Sequence, residues 1–349
     1  MNAQNGKSRV PFYRSLLPWR GDSRKQIVYK LISLAAVCVF LYCAALLLND
    51  LVVQPAISDK DQQDIQAIYY ASDSAPVSAA PSGSKAAAAA VSSAPPGRDA
   101  QGRLVRFVNL QKVNPDIVGW IKIPNTVIDL PVLQADKKNP EFYLNHDYNR
   151  KYTFYGSIFA DCSAPVAGGQ SRSVILYGHS LNSGRMFTQL NRYKSLDFYK
   201  TAPVFTFDTV DGQYRWKIIS VFLTNTLPEQ GEPFNYMKTS FKNDSDYLNF
   251  VYQLRIRSIY NTGVSFHADD KIVLLSTCSY EFTDFREIVV ARRVRAGESD
   301  TADVQHAAWN GKVLYPDCWY KKNGGTKPSW PATYEQAKKN KLLSWGEGE

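Results

Sequence analysis

The amino-acid sequence predicts a mainly β fold, a barrel or sandwich of short antiparallel strands, attached to an N-terminal membrane-spanning helix. Three observations carry this prediction. A long uncharged apolar run lies near the N-terminus, a segment of small residues and prolines follows it, and eight short runs rich in Val, Ile, Tyr and Phe occupy the rest. With 44% hydrophobic residues among 349, the chain has enough apolar side chains to pack a core.

The apolar run Leu31–Leu48 contains no charged residue, and the mostly apolar stretch 27–53 is long enough to cross a bilayer as a helix. Seven Lys or Arg residues and one acid precede it within 1–30. The positive-inside rule therefore predicts a cytoplasmic segment 1–30, a single-pass anchor at 31–53, and an extracellular remainder. A cleaved signal peptide is the alternative, but the run is longer than a signal core and no small-residue cleavage site follows at once.

The formal net charge of +9 sits mostly at the front of the chain. Residues 1–30 contribute +6, and residues 300–349 hold seven Lys against six acids, which leaves +2 for the middle. No basic stripe marks a phosphate-binding face, so the sequence argues against nucleic-acid binding.

A flexible tether is predicted at 54–102. Its residues 71–98 are almost wholly Ala, Ser, Pro and Gly, too poor in large apolar groups to offset the entropy of ordering. Only Ser58–Tyr70 has the composition of a short helix. Such a tether lets a folded unit stand off the bilayer.

The globular part, predicted at 103–298, starts with a short helix at Arg103–Val113, ahead of Asn114 and Pro115. A longer helix is predicted at Asp244–Tyr260, capped by Asp244 or Ser245, and a short helical turn at Met186–Leu190. The eight predicted strands are Val118–Ile123, Val127–Val132, Ser157–Ala160, Val174–Tyr177, Val204–Asp208, Tyr214–Leu223, Lys271–Thr277 and Glu287–Val294.

The C-terminal extension, residues 299–349, has no periodicity that declares a fold. Its four tryptophans and several Tyr and Lys make it too aromatic for a linker. Three interpretations stay open: it packs on the globular part, it binds wall polymer, or it forms a small appended module.

Five cysteines divide into two groups. Cys38 and Cys43 lie in the predicted membrane helix, which leaves Cys162, Cys278 and Cys318 outside. An odd number cannot pair completely, and the spacing fits no metal site, so at least one external thiol is free. A Cys162–Cys318 disulfide stays open.

Three residues at strand ends have the chemistry of an acyl-transfer site. Cys278 lies where an apolar strand runs into a polar loop, and Arg286 opens the next strand, so a hairpin brings the guanidinium beside the thiol. A cation there favours the thiolate and donates hydrogen bonds to an oxyanion. His179 follows a strand and Gly178, and imidazole moves protons near neutral pH. Each residue alone has a simpler interpretation: a buried small hydrophobe, a turn, a solvated charge.

The local sequences decide between these interpretations, because they resemble the signatures of class B sortases. In that family the nucleophile strand ends in Thr-Leu-x-Thr-Cys with an Arg shortly after. Here the strand reads Leu-Leu-Ser-Thr-Cys at 274–278, followed by Arg286, with Leu274 in place of the first Thr. The histidine motif matches as Leu-Tyr-Gly-His-Ser at 176–180.

The class B character comes from residues 114–134, from residues 143–148 and from the long helix before the cysteine strand. The resemblance covers about residues 104–295 and leaves out the C-terminal extension. It implies an eight-stranded sortase-type β-barrel with an N-terminal helix and a second helix between strands six and seven.

The resemblance also implies an activity. Cys278 attacks the Thr carbonyl of a C-terminal sorting motif on a secreted surface protein and forms a thioester, and His179 protonates the departing amine. A peptidoglycan precursor or cross-bridge amine then takes the acyl group, while Arg286 stabilises the oxyanion. No cofactor and no metal are expected. The residues expected to line the substrate groove are Tyr177, Ser276 and Thr277.

Two other functions are compatible with the sequence. On the same fold, a hydrolytic cysteine peptidase or a pilus-type polymerase uses water or a pilin lysine as acceptor. In a different class, a non-catalytic wall-binding scaffold uses the aromatic C-terminal extension as its working part.

Overall fold

The computed structural model describes residues 16–71, 97–169, 171–343 and 345. The chain forms two compact units, Met1–Asp64 and Ile65–Glu349. In chain order the helices are α1 (Arg24–Leu48), α2 (Gln54–Ala71), α3 (Val105–Val113), α4 (Leu196–Thr201), α5 (Asp244–Ile256), α6 (Asp317–Asn323) and α7 (Tyr334–Lys339).

The predicted membrane helix forms α1, whose start is closed by a capping box between Ser23 and Gln26. A π-helical turn, Asn49–Val53, joins α1 to α2. Within the described part of the chain, this continuous helix is the one long and apolar enough to cross a membrane, judged by length and composition. The predicted tether thus begins with helical residues up to Ala71, and its residues 72–96 lie outside the described residues.

Strands form the body of the second unit. They are β1 (Ile117–Lys122), β2 (Asp129–Leu133), β3 (Ile158–Ala160), β4 (Ser173–Tyr177), β5 (Val204–Thr209), β6 (Arg215–Thr224), β7 (Tyr260–Asn261), β8 (Ile272–Ser279), β9 (Phe285–Arg293) and β10 (Ala308–Trp309). A closed barrel has the order β1, β2, β3, β4, β8, β9, β6, β5, and β5 pairs with β1. The eight-stranded barrel is therefore confirmed, and each predicted strand overlaps an observed one.

The expectation of a wholly antiparallel sheet is wrong. Strand β2 runs parallel to β3, and β4 runs parallel to β8. Parallel neighbours need a long crossover, and the chain between β4 and β8 supplies one through β5, β6 and α5. Strand composition does not encode which strands become neighbours, so the sequence could not distinguish the two arrangements.

The continuous apolar runs of β8 and β4 are explained by burial on both faces of the barrel wall. Successive side chains point to opposite faces, so Val273 and Leu275 join the barrel interior while Ile272 and Leu274 pack under helix α5. A strand buried on both faces therefore has a continuous hydrophobic sequence rather than an alternating one.

Helix α5 lies between the sixth and seventh barrel strands, as predicted, but its ends differ from the prediction. Asn243 is the cap, because its side chain accepts a hydrogen bond from the backbone N of Asp246 at 2.9 Å. The helix ends at Ile256, since Tyr260 is taken up by pairing of β7 with β10. The predicted turn at Met186–Leu190 is a 3₁₀ helix, Phe187–Lys194. The other 3₁₀ turns are Phe142–Leu144 and Pro228–Gln230.

Two peripheral elements pack on the barrel unit. At its start, the Tyr69 ring of α2 stacks on Trp120 of β1 with 4.1 Å between centroids. At its end, the C-terminal extension pairs β10 with β7 and buries Ala337 and Trp345 against helix α5. Of the three interpretations of the extension, packing on the globular part is what the structure shows.

Candidate active site

Cys278 and Arg286 lie side by side on neighbouring strands. They are Cα partners in the antiparallel ladder of β8 and β9, so their side chains share one face. Cys278 is a half-buried free thiol between two buried neighbours, Thr277 and Ser279. The hairpin inferred from the sequence therefore sets Arg286 opposite Cys278, with both side chains on one face of the sheet.

His179 reaches the same edge of the barrel through the parallel pairing of β4 with β8. Tyr177 is opposite Ser276, and continuing this register by two residues sets His179 opposite Cys278. Two hydrogen bonds extend the pairing past the strand end. Gly178 N donates to Ser276 O at 3.2 Å, and Thr277 Oγ1 donates to Gly178 O at 2.8 Å. Adjacent strands are about 4.8 Å apart, so the histidine backbone lies next to that of the cysteine.

The imidazole of His179 is oriented by the chain itself. Its Nε2 lies 2.7 Å from the carbonyl oxygen of Leu144. A carbonyl only accepts hydrogen bonds, so this contact assigns the proton of the neutral ring to Nε2 and leaves Nδ1 as the acceptor. Gly178 permits the tight approach of this turn, because a Cβ there would lie 2.8 Å from the ring of Phe187.

The three residues predicted to line the substrate groove are placed differently from one another. Ser276 and Thr277 are buried, and their hydroxyls contact Tyr236 and Gly178 respectively. Thr277 thus supports the backbone before His179, whereas Ser276 bonds to a side chain. Tyr177 is half-buried, and its hydroxyl donates to Asp161 at 2.8 Å. A direct contact with substrate stays a prediction for all three.

Tyr236, in the loop after β6, is a site residue that sequence reasoning missed. Its hydroxyl lies 3.0 Å from Ser276 Oγ. Burial raises its pKa, the Arg286 guanidinium opposes the rise, and the charge of a Cys278 thiolate adds to it. Tyr236 therefore lies within electrostatic reach of both residues. No periodicity or motif marks it, since an irregular loop positions it.

An ionisable cluster lies on the inner side of the same strand ends. Lys194 Nζ lies 2.5 Å from Glu281 Oε1 and 3.0 Å from Ser279 Oγ. Glu287, the Cα partner of Thr277, is fully buried at 3.7 Å from Lys194 Nζ, too far for a hydrogen bond. Neither of its carboxylate oxygens has a hydrogen-bond partner among the described residues, and burial raises its pKa to about 8.

The remaining cysteines and possible metal ligands add nothing to the site. Cys162 and Cys318 are both free thiols, so the disulfide left open above is not formed. Across the ranges that the structure describes, no cluster of His, Cys, Asp and Glu has the geometry to hold a metal ion.

Known proteins are similar to this chain in sequence and fold. A family model described as the sortase domain matches residues 121–294. Sortase B of Staphylococcus aureus is 36% identical over 192 residues, which cover 54% of this chain and 75% of that protein. Sortase B of Listeria monocytogenes is 34% identical over 173 residues, which cover 50% of this chain and 67% of that protein. The chain belongs to the sortase family.

Solved structures point to class B within that family. A complex of Staphylococcus aureus sortase B with substrate matches with a TM-score of 0.50 and 35% identity, covering 55% of this chain and 86% of that one. A sortase B from Bacillus anthracis matches with a TM-score of 0.56 and 28% identity, covering 70% and 99%. Sortases are cysteine transpeptidases, so this class B sortase is an enzyme of that kind.

Proposed function

We propose that this sortase cleaves a C-terminal sorting motif of secreted proteins at a Thr carbonyl, through a thioester on Cys278, and transfers the acyl group to a cell-wall amine. The observation that supports it is the meeting of three strand-end residues at one edge of the barrel. Cys278 is in register with Arg286 on one side, and the register of β4 leads His179 to it on the other.

Each residue has a defined chemical role. The Cys278 thiol gives its proton to Nδ1 of His179, and the resulting thiolate attacks the carbonyl carbon while Arg286 donates hydrogen bonds to the oxygen that becomes negative. His179 gives a proton to the departing amine as the C–N bond breaks, which leaves the acyl group on sulfur. The same imidazole then accepts a proton from the incoming amine as that nitrogen attacks the thioester and the thiolate is released.

The partners follow from the same proposal. The sortase B complex from Staphylococcus aureus is described as a complex with substrate, which supports a sorting-signal peptide as the first substrate here. The second substrate is a peptidoglycan precursor or cross-bridge amine. No cofactor takes part. Tyr177, Ser276 and Thr277 border or support the groove that receives the sorting peptide.

The N-terminal helix is proposed as a single-pass membrane anchor, with residues 1–30 in the cytoplasm and the barrel outside the cell. Its length and composition support this, as does the excess of Lys and Arg before it. The segment before the barrel would act as the tether between them.

The test uses the full chain in detergent with fluorogenic peptides that carry sorting-type motifs, with and without oligoglycine or a diaminopimelate-containing amine. We expect cleavage with a ligated product in the presence of amine, and loss of both in Cys278→Ala. Cys162→Ala is the matched control, because Cys162 is also a half-buried free thiol. Cleavage that survives in Cys278→Ala would refute the proposal. Products formed only with water or a pilin lysine would identify the peptidase or polymerase instead.

A further inference from the structure

A cavity of about 420 Å³ lies between the loop that follows β6 and the C-terminal extension. Both parts of the chain belong to the same compact unit. The family model ends at residue 294, so the wall that the extension contributes is outside the region matched to the sortase domain. Its lining includes Thr224, Glu232, Phe234 and Arg257 from the domain, with Tyr315 and Asp317 from the extension.

The cavity lies close to the proposed catalytic residues. Thr224 lines it and is the Cα partner of Arg286 across β6 and β9, and Arg286 is in turn the partner of Cys278. Two strand spacings separate Thr224 from Cys278, about 10 Å. An extended peptide crosses that distance in about three residues. A peptide held at Cys278 is therefore long enough to reach the cavity with a group about three residues away.

Helix α6 holds the extension against both loops that border the site. Lys322 Nζ donates to Glu281 O at 3.1 Å and lies 4.6 Å from the ring centroid of Phe282, in the loop after Cys278. On the other side, Gly231 leaves room for Asp317, because a Cβ there would lie 3.0 Å from the Asp317 backbone N. The extension thus forms a fixed wall beside the site.

Arg257 is the cation in this cavity that lacks a counter-charge, since the other lining cation, Lys327, is paired with Asp317. Its guanidinium stacks on Phe234 at 4.0 Å, and its Nη1 donates to the backbone oxygen and to Oε1 of Gln253, both at 2.8 Å. It makes no ion pair with any carboxylate of the described residues. Burial lowers its pKa to about 10, which reflects the loss of water without a compensating anion.

The other charges of the cavity leave this guanidinium available. Asp317 is already paired with Lys327 at 2.6 Å. Glu232 also lines the cavity but forms no ion pair with Arg257. A planar guanidinium with free N–H groups matches a carboxylate in charge and geometry.

We propose that this cavity binds a carboxylate group of one of the two peptide substrates, with Arg257 as its partner and the C-terminal extension as the second wall. The proposal rests on the proposed function in so far as the substrates are peptides. The carboxylate has two possible sources, an acidic residue beside the sorting motif or a free carboxylate of the peptidoglycan acceptor, and the experiment distinguishes them.

The kinetic test uses the full chain in detergent and two substrate pairs. One pair is a sorting-type peptide with Glu or Gln beside its motif, and the other is a diaminopimelate acceptor with free or amidated carboxylates. We expect Arg257→Gln to raise KM for the carboxylate member of one pair about tenfold or more, and to leave kcat and the amide member unchanged. Arg257→Lys should restore part of the loss. Arg215→Gln, an exposed arginine at the far end of β6, is the control.

The pair that responds identifies the source of the carboxylate. Equal effects of Arg257→Gln on both members of both pairs, or no effect on any, would overturn the proposal. Unchanged turnover of the amide member excludes misfolding as the cause of a loss.

A binding measurement separates this proposal from the proposed function. The same four compounds are titrated by calorimetry into the Cys278→Ala chain, with and without Arg257→Gln, so no turnover is needed. Binding that depends on both the carboxylate and Arg257 supports the cavity even if no peptide is cleaved. Binding that is indifferent to the carboxylate, or absent for all four compounds, contradicts it even if the enzyme is active.

Discussion

Replacing Glu287 by Gln should stabilise the barrel in a way that depends on pH. The Glu287 side chain is fully buried, its two carboxylate oxygens have no hydrogen-bond partner among the described residues, and Lys194 Nζ, the cation 3.7 Å away, is committed to Glu281. Burial raises the pKa of Glu287 from 4.5 to about 8. The unfolded chain ionises this group near pH 4.5, whereas the folded chain holds its proton until about pH 8.

The sign and size of the change in unfolding free energy follow from the linkage between proton binding and folding. Above pH 4.5 the unfolded state loses its proton and the folded state does not, so stability falls as pH rises and levels off above about pH 8. Each pKa unit corresponds to about 1.4 kcal/mol, which gives a cost of about 3 kcal/mol at pH 7 and under about 1 kcal/mol at pH 5. Gln resembles the protonated acid and cannot ionise. The variant should therefore nearly match wild type near pH 5 and exceed it near pH 7 by about 6 to 12 °C in Tm.

The assay is thermal unfolding of the full chain in detergent, followed by tryptophan fluorescence at several pH values from 5 to 8. Glu281→Gln is the matched control. Burial raises the pKa of Glu281, but hydrogen bonds from Lys194 and Ser279 outweigh it and lower the pKa. That variant should lose stability at neutral pH and lose less in acid. A Tm difference between Glu287→Gln and wild type that stays constant from pH 5 to pH 7.5 would show that Glu287 does not bind an extra proton in the folded state.

Two further predictions concern the backbone that carries His179. Thr277→Val removes the hydrogen bond to Gly178 O and keeps a similar side-chain shape. We expect a loss of about 1 kcal/mol in the free energy of unfolding and a lower kcat with little change in KM. An unchanged kcat would show that this bond does not position the histidine. Gly178→Ala places a Cβ 2.8 Å from the Phe187 ring, so we expect a loss of about 1 to 3 kcal/mol in denaturant unfolding. Restoration of stability by Phe187→Leu in the same chain would confirm the collision as the cause, and wild-type stability of Gly178→Ala alone would disprove it.

The sequence predicts where the strands and helices of this fold lie better than it predicts which of them become neighbours in space. β-branched and aromatic residues mark all eight barrel strands, because these side chains pack well on a pleated, half-buried surface and so are enriched in strands. Helix α5 was located by its apolar face, but its cap and its end were not, since Asn243 competes with Asp244 and Ser245 and since Tyr260 is drawn into pairing with the C-terminal extension. Such outcomes depend on contacts between distant parts of the chain.

The candidate site was predicted through local sequence, and its surroundings were not. Cys278, Arg286 and His179 stand in short motifs, so their strand-end positions could be read directly. Glu287 opens the same strand as Arg286 and looks like any polar residue at a strand start. Only the pairing register shows that the Glu287 side chain points into the barrel interior. The cavity beside Arg257 could not be predicted from the sequence, because one of its walls is the C-terminal extension, whose sequence has no periodicity that predicts a fold.

The parallel pairing of β4 with β8 is what makes the site possible. In a wholly antiparallel barrel, the end of β4 would lie beside the beginning of β8, at Ile272. Ile272 and Cys278 are six positions apart, a distance of about 20 Å along a strand. A histidine at the end of β4 could not reach the thiol across that distance. Because β4 and β8 run parallel, both strands end at one edge of the barrel, and the antiparallel return of β9 begins there with Arg286. His179, about a hundred residues before Cys278 and Arg286 in the sequence, thus reaches their edge of the barrel through the direction of two strands, which strand composition does not reveal.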